Sequence, residues 1–449
     1  MTAPLPRRRL AGYGVGSVGT GVFSALPGLL LLYYLTDVLG VAAGLAGFVI
    51  VLPKLWDMLA SPLIGAVSDR EAVRTGRRFR LMITGALTLP LLFAAVFSAP
   101  PMDATGSALW VAAAFVLATT AFSLFQVPYV ALPAEISPRR DQRARAMSWR
   151  VVCLTLGILA AGGLAPAVVE AAGGGRPGHL AMGLAMGLVL LLAMTTATVT
   201  SRWIPSRPGP RPLGPVAAFR AARGNRAFFA LCATFSLQSL AVAVMLAGAP
   251  YVATYRLGDY SLTSVMFVCL VGPSLVAVPV WAALARRFGT VRCYLVALAS
   301  MIVTAVLLYP AIATEAVGPV LAVAGLVGVF YTALQLLPLT LLPETVREDA
   351  ARSGQAQAGT FTGVWTAVET GAMALGPGLY SVALTVTAFR ASDVTQEVVQ
   401  PDTAITGLTA GFTVLPAVLF LVSLPPLLAF RRRFRESRPA APEEETHAA

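Results

Sequence analysis

Long apolar stretches, separated by short polar or basic connections, run through the whole chain. Several of them exceed the roughly 20 apolar residues that an α-helix needs to cross a bilayer. The pattern predicts an all-α membrane protein with twelve transmembrane helices. We number the predicted helices spans 1 to 12 and place them near residues 13–36, 43–67, 81–100, 107–135, 147–172, 179–203, 226–252, 261–285, 291–311, 315–343, 355–383 and 404–430.

The composition supports this prediction. Of 449 residues, 57% are hydrophobic and only 12% are charged, whereas soluble domains carry about 25% charged residues. Such a chain has too little charge to cover a soluble surface. We therefore expect a multi-pass protein of the cell (cytoplasmic) membrane.

The positive charges lie mainly in alternate connections between the spans. Of the 33 lysine and arginine residues, 28 fall in these connections and in the two chain ends, while the opposite connections hold only Arg176, Arg256 and Arg390. Cytoplasmic loops carry such an excess, so both termini are predicted to be cytoplasmic. The net charge of +12 thus reports topology and contact with membrane lipid, not nucleic acid binding.

The chain divides into two similar halves. A Pro- and Arg-rich stretch at 204–225 separates a six-helix half (1–203) from a second one (226–430), and "LPAEIS" near the end of span 4 resembles "LLPETV" in span 10. We interpret 204–225 as a cytoplasmic linker. The polar segment 431–449 is predicted to be a disordered cytoplasmic tail.

The spans lack the residues of an enzyme or a metal site. The chain has two histidines, His179 and His447, and neither joins a cluster of potential metal ligands. We expect no catalytic residue, no metal and no cofactor apart from a coupling ion. An enzyme or a sensor remains a remote alternative, because a sensor usually carries a soluble domain.

Four motifs resemble one transporter family. "YYLTDVLG" (33–40), "KLWDMLASPLIGAVSDR" (54–70), "VPYVALPAEIS" (127–137) and "MSWRVVCLTLG" (147–157) are similar to motifs of the glycoside–pentoside–hexuronide:cation symporters. That family includes the melibiose carrier and, more distantly, the animal lysophosphatidylcholine symporter. The resemblance implies the major facilitator fold and transport by alternating access.

The resemblance also implies roles for single residues. The aspartate that helps to bind the coupling cation in the melibiose carrier matches Asp57, and the basic residue one turn earlier matches Lys54. The second carboxylate of that helix is Ser61 here. Two further acids of the melibiose carrier fall on Gly21 and Gln126.

The remaining functional positions of the family carry over unevenly. The arginine that reaches the sugar site matches Arg150, and the lysine of span 11 falls on Thr370, next to Glu369. A cavity with fewer positively charged side chains than in the melibiose carrier is expected to favour neutral or cationic solutes over hexuronides.

Asp57 has two interpretations at the level of sequence. Lys54 and Asp57 are three residues apart on a helix, so they can form a structural ion pair. Alternatively, Asp57 faces the cavity and binds a proton or a sodium ion, because charges at membrane depth tend to mark ion pathways. Ser61 lies on the same face, and Ser123 of span 4 adds a second hydroxyl candidate.

The candidate substrate residues are polar or aromatic positions within the spans: Gln126, Tyr129, Arg150, Trp365 and Glu369. Arg150 has an alternative role as a cytoplasmic anchor that extends to the interface. Glu369 has an alternative role as a buried acid paired across helices, with Arg150 as one partner.

Major facilitator carriers keep a gating motif between spans 2 and 3. Asp69 and Arg70 match it, and Lys54 completes the gating candidates as the resting counter-charge of Asp57. A basic loop that only sets topology is the simpler interpretation.

We therefore expect a monomeric secondary active transporter that moves a small polar solute, sugar- or glycoside-like, with H⁺ or Na⁺ as coupling ion. Transport or export of a lysolipid or an amphipathic metabolite is the alternative. Neither the substrate nor the direction of transport can be derived from these residues.

The topology gives the first testable prediction. Single cysteines introduced at Ser206 in the linker and at Ser392 between spans 11 and 12 should react with a membrane-impermeant maleimide on opposite sides, because the basic connections stay in the cytoplasm. Labelling of intact cells and of inside-out vesicles measures this. Equal labelling of both positions from outside would contradict the predicted number of spans.

Overall fold

The computed structural model describes residues 7–136, 140–202, 204, 224–353, 358–392 and 398–436. These residues are almost entirely helical, and the helices run back and forth through one bundle. We call the end of the bundle that holds the connection 39–42 the distal end. The opposite end, where residue 7 and residue 436 lie, is the proximal end.

The described residues of the N-terminal half form seven α-helices. A π-helical turn, Tyr34–Val38, continues the first helix, and a second one, Ala160–Leu164, joins α5 to α6. The helices are α1 (Arg7–Tyr33), α2 (Ala43–Thr75), α3 (Phe79–Val96), α4 (Ala104–Ile136), α5 (Arg140–Leu159), α6 (Ala165–Ala171) and α7 (Gly175–Ser201).

The described residues of the C-terminal half form eight α-helices. Gly272 and Pro273 interrupt span 8, and Ser423 interrupts span 12 before two prolines. The helices are α8 (Arg226–Tyr255), α9 (Leu262–Val271), α10 (Ser274–Phe288), α11 (Thr290–Ala313), α12 (Val317–Ser353), α13 (Ala358–Val386), α14 (Asp402–Val422) and α15 (Leu424–Glu436).

The helices correspond to the predicted spans. In the described part of the chain, 11 segments are long and apolar enough to cross a membrane. Helix α13, which corresponds to span 11, is not among them because it includes Glu369 and several Thr and Gly residues. The all-helical fold is therefore confirmed, whereas the count of twelve membrane crossings stays a prediction.

Helix α2 continues beyond its predicted end at residue 67 and stops at Thr75. Gly76 ends it in the left-handed conformation (φ 66°), which only glycine adopts without strain. The carboxylate of Glu71 then accepts hydrogen bonds from the backbone nitrogens of Arg80 (2.7 Å) and Leu81 (3.2 Å). These contacts satisfy free N–H groups at the start of α3.

The last helix also continues farther than the sequence predicts. Helix α15 ends at Glu436, so the first residues of the predicted tail (431–449) are helical. The Phe430 and Phe434 rings stack 5.1 Å apart and both are buried, which explains the extension. Residues 437–449 and most of the linker 204–225 lie outside the described residues.

The two halves meet near the distal end. Their main contacts join α1 with α8, α2 with α13, and the Ala160–Leu164 turn with α9. The contacting residues lie at the distal ends of these helices: a Cβ on Gly47 of α2 would overlap the Ser381 hydroxyl of α13. Among the described residues, the hydrogen bonds and ring contacts that join the halves also lie at the distal end. We infer that the space between the halves widens toward the proximal end.

Helices α1 and α5 touch backbone to backbone. A Cβ on Gly21 would lie 2.5 Å from the carbonyl oxygen of Leu154, and one on Gly157 would overlap the carbonyl of Val18. The small residues therefore permit the close approach of two helices. Position 21, where the melibiose carrier has a sugar-contacting aspartate, has no room for a side chain here.

This contact gives a prediction for stability. Gly157→Ala should lower the free energy of unfolding by about 1–3 kcal/mol through overpacking, despite the higher helix propensity of alanine. Gly363→Ala in α13 is the matched control, because its Cβ would meet nothing within 4 Å. Thermal unfolding of the purified protein in detergent measures both. An equal or higher melting temperature for Gly157→Ala would contradict the close contact.

Candidate functional site

Three polar side chains meet between α2 and α4. Asp57 Oδ1 accepts hydrogen bonds from the Ser61 hydroxyl (3.2 Å) and from the Ser123 hydroxyl, and the two serine oxygens are 3.3 Å apart. Ser61 lies one helical turn after Asp57, and Ser123 is buried on the facing helix. The structure thus brings together the three residues that the sequence suggests for a cation site. We call them the Asp57 cluster.

The expected ion pair between Lys54 and Asp57 is wrong for this structure. The ion pairs found among the described residues join other groups, and Lys54 Nζ instead lies 5.9 Å from the centroids of the Phe23 and Phe115 rings. Helical side chains lean toward the N-terminus of their helix. Lys54 and Asp57 thus interact electrostatically without forming an ion pair, while the carboxylate accepts a hydrogen bond from Ser61 on the next turn.

Tyr129 is the centre of a second polar group in the N-terminal half. Its hydroxyl donates to the carbonyl oxygen of Tyr13 (2.8 Å) and lies 2.8 Å from the Ser17 hydroxyl. Its ring stacks on Tyr13 with a centroid distance of 4.7 Å. The Arg150 guanidinium lies 5.6 Å from the centroid of the same ring. Tyr129 and Arg150 are thus adjacent, and Tyr129 links α4 to α1.

Two of the candidate substrate residues have buried polar atoms without a partner. Gln126 Oε1 in α4 and Trp365 Nε1 in α13 make no hydrogen bond. The Trp365 ring is stacked on Phe235 at 4.5 Å, which fixes its orientation. Since buried polar groups are normally paired, one acceptor in the N-terminal half and one donor in the C-terminal half are available to a ligand or water.

Glu369 is half-buried in α13, one turn after Trp365. It forms none of the ion pairs found among the described residues, so the expected pair with Arg150 does not occur in this conformation. It lies within electrostatic range of Tyr331 in α12, whose hydroxyl accepts a hydrogen bond from Gln335 (3.0 Å). Glu369 and Arg150 therefore belong to different halves of the site.

The predicted gating residues are found at the proximal end of α2. Asp69 pairs with Arg78 (2.8 Å), and Arg78 also donates to the Ser68 hydroxyl (2.7 Å). Arg70 is exposed on the same helix. All these residues belong to the N-terminal half, so the motif does not join the two halves where they are separated proximally.

Two sets of site residues are not among those predicted from the sequence. Tyr13 and Ser17, which position Tyr129, are ordinary residues of an apolar span and carry no sequence signal. Asp37 and Thr36 at the distal end of α1 bind Tyr255 and Tyr251 of the other half. An acid at the end of an apolar span, in "YYLTDVLG", was the available signal for this second set.

Comparisons with known proteins agree with the geometry. A family profile described as MFS/sugar transport protein matches residues 12–431. The candidate glycoside/cation symporter YagG of Escherichia coli K12 is 29% identical over 196 residues, which cover 43% of each chain. The candidate 2,3-dihydroxypropane-1-sulfonate exporter of the same organism is 28% identical over 302 residues, 66% of this chain and 65% of that protein.

A third relative, the candidate sulfoquinovose importer of Salmonella typhimurium LT2, is 26% identical over 305 residues, 66% of this chain and 63% of that protein. The matched stretches thus span less than two thirds of these relatives.

Solved structures show a similar fold. The crystal structure of a bacterial homologue of the human lysosomal transporter Spinster, inward-facing and occupied, has a TM-score of 0.68 at 12% identity and covers 98% of this chain and 100% of that chain. A bacterial homologue of the iron transporter ferroportin, inward-facing, has a TM-score of 0.62 at 16% identity and covers 95% and 98%.

The geometry around Asp57 predicts which pairs are energetically coupled. A double-mutant cycle with Asp57→Asn and Ser123→Ala should give an interaction energy of about 1 kcal/mol or more, since the carboxylate accepts that hydrogen bond. The matched cycle with Lys54→Gln should give less than about 0.5 kcal/mol. Denaturant unfolding of the four proteins in each cycle measures the energies. A larger energy for the Lys54 cycle would contradict this arrangement.

Proposed function

The chain belongs to the MFS/sugar transport protein family, with glycoside/cation symporters among its relatives, and on that premise we propose that it carries a small, sugar-like polar solute across the cytoplasmic membrane by cation-coupled alternating access. The observation that carries the proposal is the Asp57 cluster: one carboxylate with two hydroxyls at the middle of two apolar helices. A charge at that depth is costly to keep unless it is used.

We infer that the coupling ion is a proton. A sodium ion needs several oxygen ligands, and the Asp57 cluster offers one carboxylate and two serine hydroxyls that already hydrogen bond to it or to each other. A proton needs a single base. Uptake of a proton by Asp57 raises the net charge of the site by one, which ties its occupancy to the conformation of α2.

The substrate site is proposed to lie between the halves, with Gln126, Tyr129 and Arg150 on one side and Trp365 and Glu369 on the other. The unpartnered Gln126 oxygen and Trp365 nitrogen offer one acceptor and one donor, which suits a ligand with hydroxyl groups. The Trp365 ring itself is buried against Phe235, so its nitrogen donor is the group that we propose for recognition.

The topology follows the same proposal. Helix α13 serves as the twelfth membrane-spanning helix, because it packs between α8 and α2 and connects two segments that are themselves long enough to cross. With both termini in the cytoplasm, the distal end faces outward. The closed distal end and the proximal opening then correspond to an inward-open carrier, and Asp69 and Arg70 would latch the halves only in the outward-open state.

A small sulfonate is the second candidate substrate. The Arg150 guanidinium lies over the Tyr129 ring and takes part in neither of the ion pairs found among the described residues, so it is available to an anionic head group. Two relatives are named for sulfonated solutes. Arg150→Gln would abolish recognition of a sulfonate and only weaken that of a neutral glycoside.

The coupling proposal predicts the behaviour of one variant. Asp57→Asn should abolish accumulation of the solute against its gradient, while exchange of labelled for unlabelled solute continues, because the variant can still alternate but cannot bind the proton. Proteoliposomes that contain the purified protein are tested with melibiose, a glucuronide and 2,3-dihydroxypropane-1-sulfonate as solutes.

The control for this experiment is Asp103→Asn, an exposed carboxylate in the distal connection between α3 and α4, which should accumulate solute as the wild type does. If Asp57→Asn still concentrates a solute that the wild type concentrates, Asp57 is not the coupling site. If the wild type transports none of the three solutes, the proposed substrate class is wrong.

A further inference from the structure

A second carboxylate lies where the two halves meet. Asp37 belongs to the π-helical turn at the distal end of α1 and is half-buried. Tyr255 of α8 donates a hydrogen bond of 2.5 Å to Asp37 Oδ1, and the neighbouring Thr36 hydroxyl donates to Asp37 Oδ2. One carboxylate thus receives donors from both halves of the protein.

The contacts around Asp37 extend across the same junction. The Tyr251 and Thr36 hydroxyls are 2.6 Å apart. Because a hydroxyl has a single proton, Tyr251 donates to Thr36 when Thr36 donates to Asp37. The backbone nitrogen of Ser392, after α13, donates to the Thr36 carbonyl oxygen (2.9 Å), and Thr254 donates to the Tyr33 hydroxyl (3.1 Å). We call these residues the distal latch.

The distal latch contains only one group that readily changes its charge. The other titratable or charged groups on the elements packed around it are phenols, three arginines, three carboxylates and a histidine: Tyr33, Tyr34, Tyr251, Tyr255, Tyr260, Tyr380, Arg176, Arg256, Arg390, Glu170, Glu315, Asp259 and His179. Phenols ordinarily titrate near pH 10, and burial raises the pKa of Tyr260 further.

The charged neighbours of the latch have other contacts. Arg256 pairs with Glu315 (3.3 Å), His179 packs against Tyr34, and Arg390 is exposed. Within the described residues, the ion pairs do not include Asp37. Its charge is therefore balanced by hydroxyl donors alone.

We propose that Asp37 is a second proton-binding site. Its charged form keeps the two halves joined at the distal end, which we call the closed gate, and its protonation from the outside allows the halves to separate there. This inference rests on the proposed alternating-access function but not on the identity of the solute. A carboxylate accepts charge-assisted hydrogen bonds, which are stronger than those to a neutral carboxyl group. Protonation therefore weakens the bond from Tyr255, which joins the halves, and the bond from Thr36.

The direction of the pH effect follows from these bonds. The closed gate stabilises the charged Asp37 carboxylate more than the open gate does. Closing of the gate therefore favours release of the Asp37 proton to the outside. Low external pH then favours the open gate and high pH the closed gate. When protonation of Asp37 replaces one charge-assisted hydrogen bond by a neutral one, the ratio of open to closed molecules rises by about tenfold.

The test measures the gate directly, without a solute. Spin labels are attached to cysteines at Thr105 and Thr314, two exposed distal positions of opposite halves, after Cys153, Cys232, Cys269 and Cys293 are replaced by alanine. Double electron–electron resonance on the full chain in nanodiscs then gives the distance distribution between about pH 5 and pH 8.

The wild type should shift to longer distances as the pH falls. Asp37→Asn, which mimics the protonated form, should show the longer distances at every pH, and Tyr255→Phe should favour them at high pH. Because both remove the same bond, the double variant should open the gate no further than Asp37→Asn alone. Asp259→Asn, an exposed carboxylate in the distal α8–α9 connection, should keep the pH response of the wild type.

Two results would overturn the inference. One is a distance distribution in Asp37→Asn that follows pH as the wild type does, in a variant that keeps the wild-type melting temperature. The other is a shift caused by Na⁺ at constant pH. If Asp37→Asn does not fold, two other variants test the inference. Asp37→Glu must retain the pH response, and Tyr255→Phe must favour the open gate at high pH.

Failure of this inference can be told from failure of the proposed function. A pH-independent gate together with intact uphill transport rejects Asp37 as a gating site and leaves the carrier function in place. A normal pH response of the gate in a protein that moves no tested solute rejects the substrate class alone.

Discussion

The contact between the halves at the distal end determines most of what this protein can do. Tyr255 and Tyr251 of one half meet Asp37 and Thr36 of the other through hydroxyl groups, while the main contacts between halves are confined to that end. A junction of few polar bonds can be broken and remade at low cost, unlike a packed apolar interface. In the proposed transport cycle, access to the Asp57 cluster and to the proximal gating candidates depends on this contact.

Apolar helices tolerate charges only where these have partners, and the protein uses three kinds of partner. Asp57 has hydroxyls, Arg78 has a carboxylate and a serine, and Lys54 has aromatic rings. The kind of partner determines how readily the charged side chain gains or loses a proton. Hydroxyls leave a carboxylate able to take up a proton, whereas an ion pair holds both charges. The groups suited to coupling are therefore the carboxylates with hydroxyl partners only.

The helical architecture could be predicted from the sequence because long apolar runs in a bilayer have one stable backbone form. The association of Asp57 with Ser61 was also predictable, since residues four apart share a helix face. Ser123 required a resemblance to known carriers, because nothing in a single chain specifies which helices pack together. The ion pair of Lys54 with Asp57 was predicted wrongly, because spacing along a helix does not fix the direction of a long side chain. Asp37 was overlooked because its partners lie in the other half of the chain.

The close contact of Gly21 with α5 has a consequence for how new specificities can arise. Helices α1 and α5 are joined along their backbones, so they move as one rigid body when the carrier changes conformation. An acid cannot return to position 21 by a single substitution, because the whole helix pair would have to separate first. A new specificity is therefore expected to arise on helices whose side chains are free to change, since α1 offers only backbone at position 21.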